Sequence, residues 1–466
     1  MIEQRRRKLA TRILTLALGL ATSTTVQADD PPSIVVLLAD DAGWADFGFQ
    51  GETNFKTPAL DRLADKSLIL GACYTTASVC SPSRAGMLTG RHQQRFGHEY
   101  NLPGLASRAG GGLPIEERTI ADRFRDAGYA TGIVGKWHLG LDDRFLPTER
   151  GFDEFRGLRA GSRSYFGNPI LEDGDRAWER IGPDERRTTS EAKIEYITDL
   201  IATEAVDHVN RHADHPSFLL VSFTAPHTPM HALQSDLARV PLDIKPKRRR
   251  ICAAMTRALD RACGAIIEAA EATNRDTIIL FLGDNGGATS NGSDNGPWRG
   301  MKGSHFEGGV RVPGIWHRTG DRRGRFQAPV SVLDLDATLL AIAGADLEGL
   351  DGVDLQPWFE RERADRPRHH FHWRRGPVAT IRDHDLKAIR IDGRQTLLFD
   401  LATDPGERND LASSRTVDVI RMLASLSAWE HSLEEPRWRT AAVWQRNMLR
   451  KHSMSVIGRE AERAIP

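Results

Sequence analysis

Several short polar clusters in this chain hold side chains that could do chemistry together. Asp40-Asp41 and Gly283-Asp284-Asn285-Gly286-Gly287 each follow an apolar run. Alone, the Asp pair reads as a helix cap or surface turn, and the glycine-rich stretch as a turn. Brought to one sheet edge, their three carboxylates and one amide oxygen would repel one another unless a cation neutralised them. An all-oxygen donor set suits a hard ion, Ca²⁺ or Mg²⁺, better than zinc. Cys80, in Cys80-Ser81-Pro82-Ser83-Arg84, stands at a helix start beside an arginine, where it is either a buried thiol or an activated nucleophile. Lys136 and His138, then His227, follow further strand candidates, and Lys302 sits in Arg299-Gly300-Met301-Lys302-Gly303. Singly these are ordinary surface or core groups. Gathered with Arg84 around a divalent ion, they make a pocket for a tetrahedral oxyanion with proton donors to spare.

The sequence between these clusters supplies elements to position them. Ser33 to Ala39 is a continuous apolar, β-branched run, as in a strand buried on both faces of a parallel sheet. Further strands are predicted at Leu68 to Tyr74, Ala130 to Val134, Phe218 to Phe223 and Thr277 to Leu282. Helices are predicted from Thr57-Pro58, over Thr119 to Asp126, Ile251 to Ala270 and Leu333 to Ala343. The alternation predicts an α/β fold, a large mainly parallel sheet sandwiched by helices, with ligands beyond the carboxyl ends of the strands. Near residue 360 the texture changes. Val378 to Ile381, Leu386 to Ile391 and Thr396 to Leu401 alternate about turn residues, and a helix follows from Thr416 to Leu433. This predicts a smaller C-terminal α+β unit with an antiparallel sheet, so the expected division is 1–28, 31–360 and 361–466.

Composition narrows the function classes. The 466 residues include 63 Lys plus Arg against 63 Asp plus Glu, with 40% hydrophobic and 27% charged residues. That is an ordinary globular balance and argues against disorder and dedicated nucleic-acid binding. Arg5 to Lys8 precede an apolar run, Ile13 to Ala21, and Val26-Gln27-Ala28 offers a small-x-small cleavage pattern. Residues 1–28 therefore read as a removable export signal, too short in its apolar part for a spanning helix. The chain is expected to be periplasmic or secreted, without a stable membrane anchor. Lys247 to Arg250 and Arg361 to Arg375 read as solvated faces or linkers rather than polyanion sites. Cys252 and Cys263 fall eleven residues apart in one predicted helix, about 16 Å along its axis, too far for a disulfide. Cys73 reads as core.

Cys80-Ser81-Pro82-Ser83-Arg84 with Leu88-Thr89-Gly90-Arg91 resembles the C-x-P-S-R-x(3)-L-T-G-R signature of the type I, formylglycine-dependent sulfatases of the alkaline-phosphatase-like superfamily. Gly128 to Gly132 with Gly135-Lys136-Trp137-His138-Leu139-Gly140 resembles the second signature, and Phe399 to Glu407 the C-terminal one. The resemblance spans roughly residues 33–412. It implies that Cys80 is converted by a maturation enzyme to formylglycine, whose hydrate is the nucleophile. It implies a metal, usually Ca²⁺, on Asp40, Asp41, Asp284, Asn285 and the converted Cys80. It further implies a covalent sulfo-enzyme that eliminates sulfate, with His138 as base, His227 as acid to the leaving oxygen, Lys136 and Lys302 on sulfate oxygens, the roles of His227 and Lys302 being interchangeable, and Arg84 steadying the hydrate.

Rival readings are a phosphatase or phosphodiesterase of the same superfamily, a formylglycine-bearing phosphonate monoester hydrolase, and a catalytically silent glycan-binding relative. The two-metal enzymes add His and Asp ligands and use Ser or Thr, the phosphonate hydrolases typically carry Asp-His where this chain has Asp284-Asn285, and a silent relative would have lost a site residue. The expected substrate is a sulfated carbohydrate. The segment Arg91 to Asn101 has polar and aromatic residues suited to a sugar, or else packs beside the nucleophile helix.

Overall fold

The apolar run Ser33–Ala39 is a fully buried central strand. Side chains alternate across a strand, so Ile34, Val36 and Leu38 enter one hydrophobic cluster while Val35, Leu37 and Ala39 enter another. Phe124, Leu335 and Leu339, from helices Ile120–Asp126 and Val332–Ile342, cover the first. Leu60, Ile201, Met255 and Leu259, from helices Pro58–Asp65, Ile197–Arg211 and Lys247–Ala272, cover the second. The computed structural model describes residues 30–453 except 52, 103–110, 168–177, 183–184, 190–194, 361–362 and 364. The signal segment read at 1–28 lies outside the described residues, and none of the described helices is long and apolar enough to cross a membrane.

The sheet is mixed and ten-stranded. Its central block runs Thr277–Gly283, Ser33–Ala39, Ser217–Ser222, Ala130–Lys136, Glu154–Leu158, all parallel. Antiparallel pairings begin on both sides of this block. The α/β class expected from the alternation is therefore present, with its carboxyl ends aligned along one edge.

A separate four-stranded antiparallel sheet, His370–Arg375, Val378–Asp383, Leu386–Ile391 and Thr396–Asp400, follows in the C-terminal region. Met422 and Leu426 of helix Thr416–Glu430 pack on one face, against Ile381, Ala388 and Leu398. Met448 of helix Ala442–Ser453 packs on the other, with Phe306, Ile389 and Phe399. From Pro32 onward the chain forms one compact unit.

Three local expectations need correction. Leu68 to Tyr74 is two strands: Leu68–Leu70 joins the large sheet and Cys73–Tyr74 a three-stranded one, with a turn at Gly71-Ala72, where a glycine interrupts the apolar run. The stretch to Arg375 is no linker at its end, because Phe371 and Trp373 alternate inward among the basic residues and make His370–Arg375 a strand. Lys247 to Arg250 opens the long helix, and Arg249 is buried against Asp46 and the Gly292 carbonyl. All four cysteines are buried and free.

The C-terminal signature has a structural role. Lys387 Nζ lies 2.8 Å from Glu307 and 3.0 Å from Glu407, all three buried, and Glu407 also accepts the Glu307 N–H at 2.6 Å. Burial, with Glu307 repelling and Lys387 attracting, pushes the Glu407 carboxyl up to about 7 from 4.5. Between those values the folded chain binds more protons than the unfolded one, so this contribution to stability is complete at acid pH and declines as pH rises through the window. Glu407→Gln is expected to raise Tm at pH 8, by on the order of 1 kcal/mol of stability, and leave it nearly unchanged at pH 4, below the window. A lower Tm at pH 8 would mean that the ionised carboxylate is required.

Candidate active site

The parallel block delivers most of the site. In register, Ala39 pairs with Gly283, Leu38 with Ser222, and Gly135 with Ser222. Asp40, Asp284, Lys136 and the loop to His227 therefore emerge side by side. Asp41 takes a left-handed φ of 63°, a conformation Asp tolerates better than most residues. Its N–H donates to Asp284 Oδ1 at 3.1 Å, tying two strand ends together. Ser222 Oγ donates to the Lys136 carbonyl at 2.6 Å and accepts from Arg84 Nη1.

Cys80 opens the helix Cys80–Thr89, every residue of which is buried. Its Sγ lies 3.4 Å from Asp40 Oδ1 and 3.7 Å from Asp41 Oδ1, and Lys302 Nζ donates to it at 3.0 Å. Lys302 also pairs with Asp41 at 2.6 Å, and Lys136 with Asp40 at 2.6 Å. Arg84 reaches Asp284 Oδ2 through Nε and Nη2, at 3.2 and 3.0 Å. His227 donates from Nδ1 to the Thr228 carbonyl at 2.6 Å, which leaves Nε2 3.6 Å from Asp41. Ligand atoms of Asp40, Asp41, Cys80 and His227 all fall within 4.8 Å of one another.

The electrostatics suit a divalent cation at this cluster. Burial opposes charge on Asp40, yet Lys136, His227, Arg84 and Lys302 together hold its carboxyl well below the usual range. Asp284 has too little compensation: burial first, and Asp40 second, push it up to about 7. Asn285 donates through Nδ2 to Asp41 Oδ1 at 2.9 Å, while its buried Oδ1 has no hydrogen-bond partner among the described residues. An orphaned amide oxygen beside three converging carboxylates is the donor set of a hard divalent ion. Burial also pushes the Cys80 thiol far up, despite Lys136 and Lys302, so it is a poor thiolate at neutral pH.

His138 stands at the margin. Its φ is 64°, its N–H donates to the Arg159 carbonyl at 3.0 Å, and its buried Nδ1 has no hydrogen-bond partner. Burial, then Lys136 and Arg84, push its pKa down. Gly161 makes room for the ring, since a Cβ there would lie 2.5 Å from Nε2. The other nine expected residues are joined by direct contacts.

Residues outside the sequence expectation also shape the site. Asn291 donates to Asp41 Oδ2 at 3.4 Å and Ser293 Oγ to the Asp41 carbonyl at 2.9 Å. They lie on the loop that follows Asp284-Asn285, a signal available in the sequence. The segment Arg91 to Asn101 mostly packs inward: Gln93, Gln94 and His98 are buried, and His98 Nε2 contacts Ser81 Oγ at 2.7 Å. Asn101, whose Oδ1 accepts the Ser81 N–H at 3.1 Å, does reach the cavity. That cavity, about 620 Å³, opens beside Asp41, His227 and Lys302 and extends to Arg375, Trp444 and Lys451. A second cluster, Glu154 with His208 and His212, is closed by two hydrogen bonds from Arg211, at 3.1 and 2.8 Å.

Comparison with known proteins points one way. The sulfatase family profile matches residues 32–345. N-acetylgalactosamine-6-sulfatase of Homo sapiens is 33% identical, over 86% of this chain and 85% of that protein. Arylsulfatase A of Homo sapiens is 32% identical over 91% of each. The crystal structure of Ps i-CgsB is 32% identical with a TM-score of 0.82, covering 91% of this chain and 98% of that one. A second structure, Ps i-CgsB in complex with k-i-k-neocarrahexaose, has a TM-score of 0.81.

Proposed function

The chain belongs to the sulfatase family and is an enzyme of sulfate-ester hydrolysis, and from that premise we propose that it desulfates a carbohydrate at the cluster around Cys80. The observation that carries this reading is the buried Cys80 seated against Asp40, Asp41 and Lys302. When bound, a divalent ion, Ca²⁺ or Mg²⁺, on Asp40, Asp41, Asp284 and Asn285 supplies fixed positive charge, and conversion of Cys80 to formylglycine supplies the attacking hydroxyl.

The chain's own groups do the rest. Lys302 and Lys136 direct ammonium donors at sulfate oxygens, where negative charge grows in the transition state. Burial keeps the His227 ring neutral at ordinary pH, against Asp40 and Asp41, so it must gain a proton before it can act as acid at Nε2 toward the leaving alcohol oxygen. His138, also held neutral, is ready to accept the proton released as sulfate departs. Arg84, fixed by Asp284 and Ser222, orients residue 80 from the next turn of its helix.

The glycan preference rests on the relatives and on the cavity wall. Trp444, 59% exposed, offers a flat apolar face for a sugar ring. The relatives include N-acetylgalactosamine-6-sulfatase, and one structural neighbour is a complex with k-i-k-neocarrahexaose. Export through residues 1–28, maturation by a formylglycine-forming enzyme, and the absence of a nucleic-acid partner complete the proposal.

Sulfate and phosphate esters of one aryl alcohol separate this reading from the superfamily's phosphate chemistry. The matured enzyme is expected to favour the sulfate by at least about 100-fold in kcat/KM, a difference of about 2.7 kcal/mol. A preference for the phosphate would overturn the assignment.

A further inference from the structure

On the cavity wall beyond Lys302, two cationic side chains converge. Arg375 ends the strand His370–Arg375, and Lys451 lies in the last turn of helix Ala442–Ser453. Both line the cavity that holds Asp41, His227 and Lys302. A Cβ placed on Gly303 would lie 3.1 Å from Lys451 Nζ and 3.2 Å from Arg375 Nη1, so the two cationic heads converge on one spot, one residue beyond Lys302. Lys451 Nζ donates to the Lys302 carbonyl. Among the described residues no carboxylate pairs with either cation, and the buried Nε of Arg375 has no hydrogen-bond partner.

This arrangement is built rather than incidental. Glu99 accepts from Arg374 at 2.9 Å and from the Gly376 N–H, which pins the hairpin tip and sends the neighbouring Arg375 into the cavity. Met448 and His452 anchor the helix that carries Lys451, His452 Nε2 accepting the His305 N–H at 2.9 Å. Two like charges held side by side on a half-buried cavity wall repel each other unless an anion joins them. The strain shows in Lys451, whose pKa burial, Arg375 and Lys302 push down to about 7.

We propose that Arg375 and Lys451 form a second anion subsite, which receives a sulfate or carboxylate carried by the substrate next to the ester being cleaved. The substrate class is then a polyanionic carbohydrate rather than a singly sulfated one. This deepens the sulfatase reading and rests on it.

The test uses matured enzyme with 4-nitrophenyl sulfate and ring analogues bearing a second sulfate or a carboxylate ortho or meta to the first. The wild type is expected to prefer at least one dianionic analogue by about tenfold or more in kcat/KM, carried by KM, as one charge-assisted hydrogen bond provides. Which analogue wins tells sulfate from carboxylate. Arg375→Ala is expected to erase that ratio, with Arg375→Lys retaining part of it and unchanged Tm showing that the fold survives. Lys451→Ala should lower the ratio too. Equal handling of mono- and dianionic esters by the wild type, or a ratio untouched by Arg375→Ala, would overturn the subsite. Absence of turnover on every sulfate would instead overturn the sulfatase reading.

Discussion

Cys80→Ala is expected to reduce sulfate-ester turnover by about 10⁴-fold or more while the protein still folds. The substitution removes one buried sulfur from the start of a helix whose packing rests on Ala85, Met87 and Leu88. Lys302 loses a contact at 3.0 Å but keeps its pair with Asp41 at 2.6 Å, so no buried charge is stranded. Loss of activity with an unchanged melting curve would therefore report chemistry rather than collapse. Mass spectrometry of the peptide holding residue 80 is the companion measurement, and active protein should carry the aldehyde or its hydrate there. Fully active enzyme with an intact thiol would contradict the mechanism, because burial holds that thiol protonated.

Removal of the divalent ion is expected to have the next largest effect, about 10³-fold in kcat/KM, reversed by added Ca²⁺. Asp284→Ala should reproduce the loss and resist rescue. A readout independent of turnover is thermal stability. Saturating Ca²⁺ at 100 times its Kd should add about 2.7 kcal/mol to wild-type stability, and much less to Asp284→Ala. Without ions the variant should itself be less stable, because it strands the buried Arg84 and the Asp41 N–H that Asp284 accepts from, so the Ca²⁺-induced gain within each protein is the quantity compared. A chelator without effect on both activity and Tm would remove the ion from the account.

How far the sequence disclosed this protein depended on whether a signal was local. The strand Ser33–Ala39 announced itself because burial on both faces demands an unbroken apolar run, and the α/β class followed from its repetition. Asp40, Asp41, Asp284, Asn285 and Lys136 were legible for a related reason: each lies at or just beyond the end of such a run, and parallel pairing brings the ends of those runs together. The strand His370–Arg375 was hidden because its two buried aromatics sit between basic residues, so composition outweighed alternation. Helix Ile197–Arg211 gave no cap signal, its N-cap being Tyr196 without a side-chain hydrogen bond. Arg375, Trp444 and Lys451 had no signature at all, since only the docking of the C-terminal hairpin and helix brings them to the cavity. Arg91 to Asn101 misled for the opposite reason: residue types that suit a sugar also suit a buried polar network, and most of these became the latter.

The burial of Cys80, at 1% exposure within a helix that has no exposed residue, sets a deadline in the life of the molecule. Under the proposed maturation, a modifying enzyme must reach residue 80 before the strand ends close over it. Oxidation of the thiol and folding thus compete during biosynthesis. On that proposal, chains that fold first would become a dead-end population, well packed and inert, whose size is set by the relative speed of the two events.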